Sequence, residues 1–386
     1  MRLALFGELY MLSKELNTGA IIYQITQEDR LVSNIYCERP FCSLDSKRFL
    51  YARQLEGGEA DNTRHWEYLL CDFGSWEEEV VGQGFHQVSI SYGNDFYFQR
   101  PKSNGLLEFV RLDLATGSLE PVWVCDKGTG ITGHPTVSPD GRRLAYHYPI
   151  SFDPQSFGVA VVNLQTGERE TVFEHPHLCN AHLQFHPTDN RTLLVQLNRG
   201  CEYTREAKRL KLVGDEGATL LLLDALSGKT ETLEIGKPHT PRITGHQAWL
   251  GDTDEVIATV APEAPYDAAP DKGSVVSLRS GDACRQLGTG MVLNHIGSTP
   301  CGRYFYGDRV TRDTIAVGSP STGKTVVIHE GPEEDPGGSP FGQHSHPHAY
   351  LTPDFRWMVF NSDQTGRPQI YACQIPVELL HGLDSD

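Results

Sequence analysis

Three histidines and a glutamine lie within six positions in the stretch FGQHSHPHAY, residues 341–350. His346 and His348 are separated by one residue, so on an extended strand both side chains point to one face. Gln343 reaches the same volume if the preceding loop folds back. Imidazole nitrogens and an amide oxygen suit a borderline or hard cation such as Mn²⁺, with Zn²⁺, Ni²⁺ and Fe²⁺ as alternatives. The competing interpretation is a solvated, histidine-rich surface loop.

The elements that would position such a site are indicated by a repeated turn. A turn of the Ser/Thr-Pro-Asp-Gly type, followed by an apolar strand, occurs seven times; the copies are SLDSKRFLYA from Ser43, SYGNDFYFQR from Ser91, SPDGRRLAYH from Ser138, HPTDNRTLLV from His186, LGDTDEVIAT from Leu250, TPCGRYFYGD from Thr299 and TPDFRWMVFN from Thr352. Several units also contain a second, Gly-containing turn, such as VNLQTGERE, which indicates a hairpin. Four strands in about 50 residues make a propeller blade. The sequence therefore predicts an all-β, seven-bladed β-propeller that forms a single domain over residues 1–386.

Two segments fall outside this repeat. EYTREAKRLKLV, residues 202–213, lies in the longest interval between turns, and we expect a helical or loop-like insertion near 199–216 that covers one face. TGAIIYQITQ, near the start of the chain, is expected to add a strand that closes the ring, because an open propeller would leave sheet edges exposed.

Most of the units carry a histidine at one equivalent position. The residues four positions before each turn are Arg39, Gln87, His134, His182, His246, His295 and His348. The strand that leads into this turn is commonly the innermost one of a blade, so these side chains are expected to surround the central channel at similar heights. A ring of imidazoles could bind a divalent cation and leave other members free for proton transfer.

Not every member of this ring needs a role in chemistry. His134 and His182 could equally order their loops by hydrogen bonding. If they are functional, we expect them to bind substrate in the channel together with Arg39 and Trp249.

Composition excludes several classes of function. The formal net charge of −17 argues against a nucleic-acid partner, whose backbone would require clustered Lys and Arg. No run approaches the roughly 18 apolar residues of a membrane span, and Glu8 interrupts the apolar start expected of a secretory signal. The nine cysteines are scattered without a Cys-x-x-Cys pair, which indicates buried thiols in a reducing compartment, so a cytoplasmic location is predicted.

The pattern of histidines resembles that of a known family, the oligogalacturonate lyases of pectin breakdown, which are seven-bladed propellers that bind Mn²⁺. The matching pieces are Gln343-x-x-His346-Pro-His348 before a Thr-Pro-Asp turn, His295 in the preceding unit, and His246 in GHQAW. Weaker agreement extends over NTGAIIYQIT, the GHP turn and the terminal SDQTGRPQIY. The resemblance implies that His295, Gln343, His346 and His348 bind the metal and that His246 is the catalytic base.

One feature of the family has no counterpart at the matching place. The family carries a catalytic Arg in a stretch like Asp-Ala-Arg-x-Trp, in the blade before the base, whereas the nearest segment here, GATLLLLD, has Thr219 at about that position. Arg199 or Arg205, in NRGCEYTREAKR, could replace it from the insertion. If neither does, the substrate or the activity differs.

The chemistry implied by the resemblance is β-elimination. Polyuronate lyases remove the C5 proton α to the sugar carboxylate and expel the C4 glycosidic oxygen. A divalent cation would neutralise the carboxylate, and a neutral histidine suits the proton transfer. The acidic surface predicts little long-range attraction of an anionic polymer, so short oligosaccharides are the expected substrates.

Two other classes of propeller share the scaffold. Tol-system propellers carry Ser-Pro-Asp-Gly turns and bind protein partners, but a non-enzymatic binding module of this kind leaves the histidine cluster unexplained. Propellers of prolyl oligopeptidases gate a serine hydrolase, and the chain has no Gly-x-Ser-x-Gly elbow.

Overall fold

A computed structural model of the chain describes residues 10–15, 17–36, 38–55, 65–85, 88–91, 93, 95–125, 131–260, 274–289, 293–309, 313–331 and 346–385. The described elements are thirty-one strands and one helix. Six antiparallel sheets have four strands and a seventh has five. The seven sheets are arranged in a ring, which confirms the predicted seven-bladed β-propeller.

The blades follow one another along the chain. Blade 1 contains β3 (Val32–Ser33), β4 (Arg48–Gln54), β5 (His65–Asp72) and β6 (Glu78–Phe85), and blade 2 contains β7 (Val88–Ile90), β8 (Asp95–Pro101), β9 (Leu107–Asp113) and β10 (Leu119–Cys125). Blade 3 contains β11 (Thr132–Val137), β12 (Arg143–Phe152), β13 (Gln155–Asn163) and β14 (Arg169–His175), and blade 4 contains β15 (Gln184–Phe185), β16 (Thr192–Asn198), β19 (Ala218–Asp224) and β20 (Thr230–Thr232). Blade 5 contains β21 (Ile243–Trp249), β22 (Glu255–Val260), β23 (Ser274–Arg279) and β24 (Arg285–Thr289), and blade 6 contains β25 (His295–Ser298), β26 (Phe305–Arg309), β27 (Thr314–Gly318) and β28 (Thr325–His329).

The seventh blade closes the ring with strands from both ends of the described chain. It contains β29 (Tyr350–Leu351), β30 (Trp357–Ser362) and β31 (Gln369–Gln374), and β31 pairs with β2 (Ile21–Gln24), which pairs in turn with β1 (Tyr10–Lys14). The prediction that TGAIIYQITQ supplies a closing strand is therefore confirmed. Ile22 of this strand is fully buried. A short helix, α1 (Val377–Asp384), follows the last strand.

The repeated turn is held by the same hydrogen bonds in different blades. In blade 3 the hydroxyl of Ser138 donates to Asp140 Oδ1 (2.6 Å) and accepts from the backbone N–H of Arg143 (3.0 Å). The Ser43 turn of blade 1 and the Thr352 turn of blade 7 repeat this arrangement. The recurring Ser/Thr and Asp are thus explained by the need to satisfy backbone groups in a tight turn.

The core lies between the faces of neighbouring blades. Val159 of β13 and Leu193 of β16, for example, are fully buried in one cluster that joins blades 3 and 4. The innermost strands of adjacent blades also touch, as β11 does with β15 and β21 with β25. These strands therefore surround the channel in which the histidines were predicted to meet.

The insertion in blade 4 differs from its predicted form. Instead of a helix or loop, the segment between β16 and β19 contains a two-stranded hairpin, β17 (Glu202–Tyr203) and β18 (Arg209–Lys211). Its strands are short and exposed because they carry mostly charged residues, which favour an exposed hairpin over a buried one. Within the part of the chain that is described, no helix has the length and apolar character needed to cross a membrane.

Candidate active site in the central channel

Three histidines converge at the end of the channel where the innermost strands begin, which we call the histidine face. His295 starts β25, and His346 and His348 precede β29. One ring nitrogen from each lies within 4.8 Å of the others, and His295 Nε2 is 3.3 Å from His346 Nδ1. Cis ligands of a cation with about 2.1 Å metal–nitrogen bonds lie roughly 3.0–3.4 Å apart, so the His295–His346 distance fits two ligands of one divalent ion and His348 lies close enough to be a third.

A buried carboxylate orients the first of these ligands. His295 Nδ1 donates to Asp308 Oδ1 at 2.7 Å, because His295 and Asp308 lie directly opposite each other on β25 and β26. The other carboxylate oxygen accepts from the backbone N–H of Ala349 at 3.3 Å. This arrangement leaves the lone pair on His295 Nε2, the atom that faces His346.

The segment that carries the other two histidines is held by two asparagines. Asn34 Nδ2 donates to the carbonyl of His348 at 2.8 Å, and Asn361 Nδ2 donates to that of His346 at 3.3 Å. His348 has a φ of 45°, in the left-handed region that a non-glycine residue rarely adopts. Such strain persists when the surroundings enforce it, and it is concentrated at functional sites.

The chemical state of His348 also fits a metal ligand. Burial, and then the neighbouring His295 and His346, lower the pKa of His348 well below its usual value, so the ring is neutral. Its Nδ1 atom is buried and has no hydrogen-bond partner among the described residues. A buried nitrogen of this kind is costly unless something binds there. Gln343, the predicted fourth ligand, lies outside the described residues, as does Gln87.

His246 lies beside this group without belonging to it. Its ring centroid is 4.6 Å from that of His295 and 5.1 Å from that of His182. Burial, and then the surrounding imidazoles, lower the pKa of His246 well below its usual value. The backbone carbonyl of Asn294 accepts a hydrogen bond from the ring, whereas Nδ1 is buried and has no partner within the described structure. The proton therefore lies on Nε2, and Nδ1 keeps a lone pair.

His182 and His134 continue the ring and are hydrogen-bonded. His182 Nδ1 donates to Glu38 Oε1 (3.2 Å), and Asn180 Nδ2 donates to His182 Nε2 (2.9 Å). His134 Nδ1 donates to the carbonyl of Val88 at 3.3 Å. Both rings face the channel. Both also make hydrogen bonds of the kind expected if these histidines only order their loops.

Tyr36 is a channel residue that sequence reasoning missed. Its ring stacks on His134 at 4.8 Å and meets the edge of His348 at 5.0 Å, and its hydroxyl lies 3.1 Å from His182 Nδ1. A fixed offset of four residues before each turn selected Arg39 in blade 1. In blade 1 the residue that enters the channel is instead Tyr36, three positions before Arg39, and it directly follows Ile35, whose backbone is left-handed with φ 51°.

Arg39 and Trp249 come together, but at the other end of the channel. Trp249 ends β21, three residues beyond His246, which corresponds to about 10 Å along a strand. Both side chains line a small pocket of about 40 Å³ together with the turn residues Ser298 and Thr299. Arg39 Nη2 donates to the carbonyl of Phe185 at 3.5 Å, and burial lowers its pKa well below the usual value.

Arg199 and Arg205, the two arginines predicted to act from the insertion, lie apart from the histidines. Arg199 donates to the carbonyls of Glu216 (2.6 Å) and Lys237 (3.1 Å), so it holds the base of the insertion. Arg205 is 77% exposed and pairs with Asp153 at 3.0 Å. Thr219 lies within β19 opposite Leu197. Among the ion pairs and hydrogen bonds of the described residues, neither arginine reaches a channel histidine.

The insertion nevertheless brings a group of cationic side chains to the histidine face. It emerges at the end of β16, where the backbone N–H of Asn198 donates to the carbonyl of His177 (2.8 Å), near His182. The hairpin carries Arg205, Lys208, Arg209 and Lys211 against Glu202 and Glu206, and Arg205 and Lys211 also pair with Asp153 and Asp215. In a chain with a net charge of −17, the exposed Lys208 and Arg209 are cationic groups that an anionic ligand could contact.

Comparison with known proteins places this geometry in a structural context. No protein-family model matches the chain, and no curated protein matches it. Among solved structures, an oligogalacturonate lyase in complex with manganese superposes with a TM-score of 0.70 and 19% identity, over 97% of both chains. An oligogalacturonate lyase from Vibrio parahaemolyticus gives a TM-score of 0.70 and 16% identity, over 97% of this chain and 98% of that one.

At 19% and 16% sequence identity, these structural similarities show only that the chain shares the fold of these two proteins. Other propellers also match: an acylaminoacyl peptidase from Pyrococcus horikoshii superposes with a TM-score of 0.51 and 11% identity, over 86% of this chain and 49% of that one. Propellers thus support different chemistries, and function must be argued from the site.

Proposed function

We propose that this protein is a lyase that cleaves short uronate oligosaccharides, of the oligogalacturonide type, by β-elimination in the central channel. The observation that carries the proposal is the position of His246, a neutral imidazole 4.6 Å from the ring of His295 in the three-histidine cluster. A base next to a cation site is the pair of groups that abstraction of a proton α to a carboxylate requires.

His295, His346 and His348 would hold the cation, with Gln343 as a fourth ligand. Three imidazoles and an amide oxygen suit Mn²⁺ among the divalent ions that such ligands bind. When bound, the cation would neutralise the sugar carboxylate and stabilise the negative charge that develops next to it. Asp308 keeps the Nε2 lone pair of His295 directed towards the cluster.

His246 would take the C5 proton on Nδ1, the nitrogen that carries the lone pair. Its lowered pKa keeps the base neutral at physiological pH, and general-base assistance of this kind contributes roughly 10²–10⁴-fold to the rate. Tyr36, His134 and His182 would contact the sugar from the opposite side of the cluster, because their rings line the channel there.

Arg205, on the exposed hairpin, is the side chain that would bind the carboxylate of a substrate sugar farther from the metal site. Arg199 is committed to backbone carbonyls and is left out of the proposed machinery. Arg39 and Trp249 lie at the far end of the channel and would contact only a ligand that passes through it. The eight described cysteines are unpaired, which supports the proposed cytoplasmic location.

The test is ultraviolet absorbance of the unsaturated uronate while purified protein is incubated with oligogalacturonides. We expect absorbance to rise with Mn²⁺, to stop on addition of a chelator and to resume when Mn²⁺ is restored. Retention of bound metal without any product from uronate oligomers would reject the lyase and favour a non-enzymatic binding module.

A further inference from the structure

Tyr36 crosses the channel from blade 1 to the side of blade 4. It follows β3 of blade 1, yet its hydroxyl lies 3.1 Å from Nδ1 of His182, which precedes β15 of blade 4. Its ring centroid also lies 5.0 Å from that of His348 and 6.2 Å from that of His295, both members of the proposed cation site. One phenol therefore reaches from the three-histidine cluster to the wall formed by blade 4.

The hydrogen bonds of His182 determine where the hydroxyl proton of Tyr36 points. Asn180 Nδ2 donates to His182 Nε2 at 2.9 Å, so this nitrogen holds the lone pair and the proton lies on Nδ1. The carboxylate of Glu38, 3.2 Å from Nδ1, accepts from the same N–H. The Tyr36 hydroxyl therefore accepts a hydrogen bond from His182, and it donates its own proton in another direction.

The backbone of His182 indicates that the position of this ring is enforced. His182 has a φ of 41°, in the left-handed region that a non-glycine residue rarely adopts. As at His348, such strain persists only when the surroundings enforce it, and it is concentrated at functional sites. The N–H that meets Tyr36 is therefore held in place by the backbone as well as by Glu38 and Asn180.

β-Elimination needs a second proton transfer besides the one to His246. The glycosidic oxygen leaves C4 with the electron pair of the broken bond, and it is a poor leaving group unless it receives a proton. The rings of His134 and His182 are unsuited to supply it, because they donate their N–H protons to Val88 and Glu38. A tyrosine side chain ordinarily keeps its proton at neutral pH and can donate it.

We propose that Tyr36 is the catalytic acid of the reaction, an inference that rests on the proposed lyase function. When His246 takes the C5 proton, the electrons of the C5–H bond form the C4–C5 double bond and the C4–O bond breaks. The departing oxygen takes the hydroxyl proton of Tyr36, and the N–H of His182 stabilises the phenolate that remains. His246 then releases its proton to solvent and Tyr36 takes one up, which restores both groups.

The experiment compares Tyr36→Phe with the unmodified protein on two substrates that differ in their leaving group. A digalacturonide expels a sugar oxygen, whereas a methyl 4-deoxy-4-fluorogalacturonide expels fluoride, which needs no proton to depart. Both reactions form an unsaturated uronate that is followed by ultraviolet absorbance. We expect the substitution to lower kcat on the digalacturonide by about 10²–10⁴-fold and to change the rate on the fluoride by less than about threefold.

Two controls show whether the site itself is intact. Bound Mn²⁺ per chain should be unchanged in Tyr36→Phe, because the ring that packs against His348 is kept. Tyr23→Phe, which removes a hydroxyl from β2 in the outer part of blade 7, should leave both rates unchanged.

The pattern of losses decides between a catalytic and a structural role. An equal loss on the two substrates would show that Tyr36 only shapes the channel, and an unchanged rate on both would show that another group supplies the proton. Either result would overturn the inference and leave the lyase proposal standing. If the unmodified protein formed no unsaturated product from either substrate, the lyase proposal would fail, and the inference with it.

Discussion

The channel imidazoles lower one another's affinity for protons. His246 and His348 are buried among other histidines, and their pKa values lie well below the usual value because an imidazolium there would be desolvated and close to further imidazoles. Neutral rings are the form that binds cations and accepts protons. Burial among other imidazoles therefore supports both proposed roles, metal binding by His348 and proton abstraction by His246.

His246 is expected to be essential for turnover but not for metal binding. His246→Ala should lower kcat by about 10²–10⁴-fold, because the general base is lost. Bound Mn²⁺ per chain should stay at the level of the unmodified protein, measured by elemental analysis. His239→Ala, which removes an exposed histidine, is the matched control. Loss of metal from the His246 variant would make His246 a ligand instead.

Asp308 is expected to act through His295 as a positioning residue. Asp308→Asn removes the carboxylate that fixes the His295 tautomer, so affinity for Mn²⁺ should fall about 10–100-fold. Calorimetric titration measures this, and activity should recover at saturating Mn²⁺. Asp252→Asn, on the surface, should leave affinity unchanged. An unaltered affinity in the Asp308 variant would exclude the positioning role.

His147 is expected to make stability depend on pH. Burial, and then His182, lower its pKa to about 4, so below about pH 6.5 the unfolded chain binds a proton that the folded chain does not. Its contribution to stability is therefore lost as pH falls, by about 2 kcal/mol between about pH 7.5 and about pH 5. We expect the free energy of unfolding, measured with urea on metal-free protein, to fall as pH falls in the unmodified protein. In His147→Gln this fall should be smaller by about 2 kcal/mol. An equal dependence in both proteins would contradict the assignment.

Among the elements, the β17–β18 hairpin brings exposed cationic side chains to the histidine face. Its cationic side chains are exposed, so each is expected to contribute about 0.5–1 kcal/mol to binding a neighbouring carboxylate. Neutralising two of them in Arg205→Gln with Lys208→Gln should therefore raise KM for a trigalacturonide by about five- to thirtyfold, and less for a digalacturonide.

The matched control neutralises two charges at the other end of the propeller. Arg142 and Lys229 are exposed and lie in turns away from the histidine face, so Arg142→Gln with Lys229→Gln should leave both KM values unchanged. If the two double variants behaved alike, only net charge would matter, and the hairpin would not be part of the substrate site.

At the scale of the whole molecule, the sequence predicts those features that depend on local repeats. The Ser138 turn needs its serine and aspartate to satisfy backbone groups within six residues, so the same residues recur in other blades and reveal the seven units. The offset from turn to channel then brings His246, His295 and His348 together, because each lies four residues before the turn of its blade.

Features that depend on irregular backbone could not be found in this way. Tyr36 enters the channel three positions before the residue that the offset selects, next to the left-handed Ile35, and no periodicity in the sequence reports this shift. Glu38 and Asp308 are recognised only through the histidines that they hold. The insertion forms a hairpin through tertiary placement on blade 4, although its Arg- and Lys-rich composition is also compatible with a helix.

The central claim is elimination by a base beside a cation site, and the products of cleavage test it most directly. Mass spectrometry of a trigalacturonide digested in ¹⁸O-labelled water, with Mn²⁺ present, should give two fragments whose masses sum to that of the substrate, one of them unsaturated. Fragments that together contain one added water would show hydrolysis and contradict the account, as would an intact substrate in the presence of metal-loaded protein.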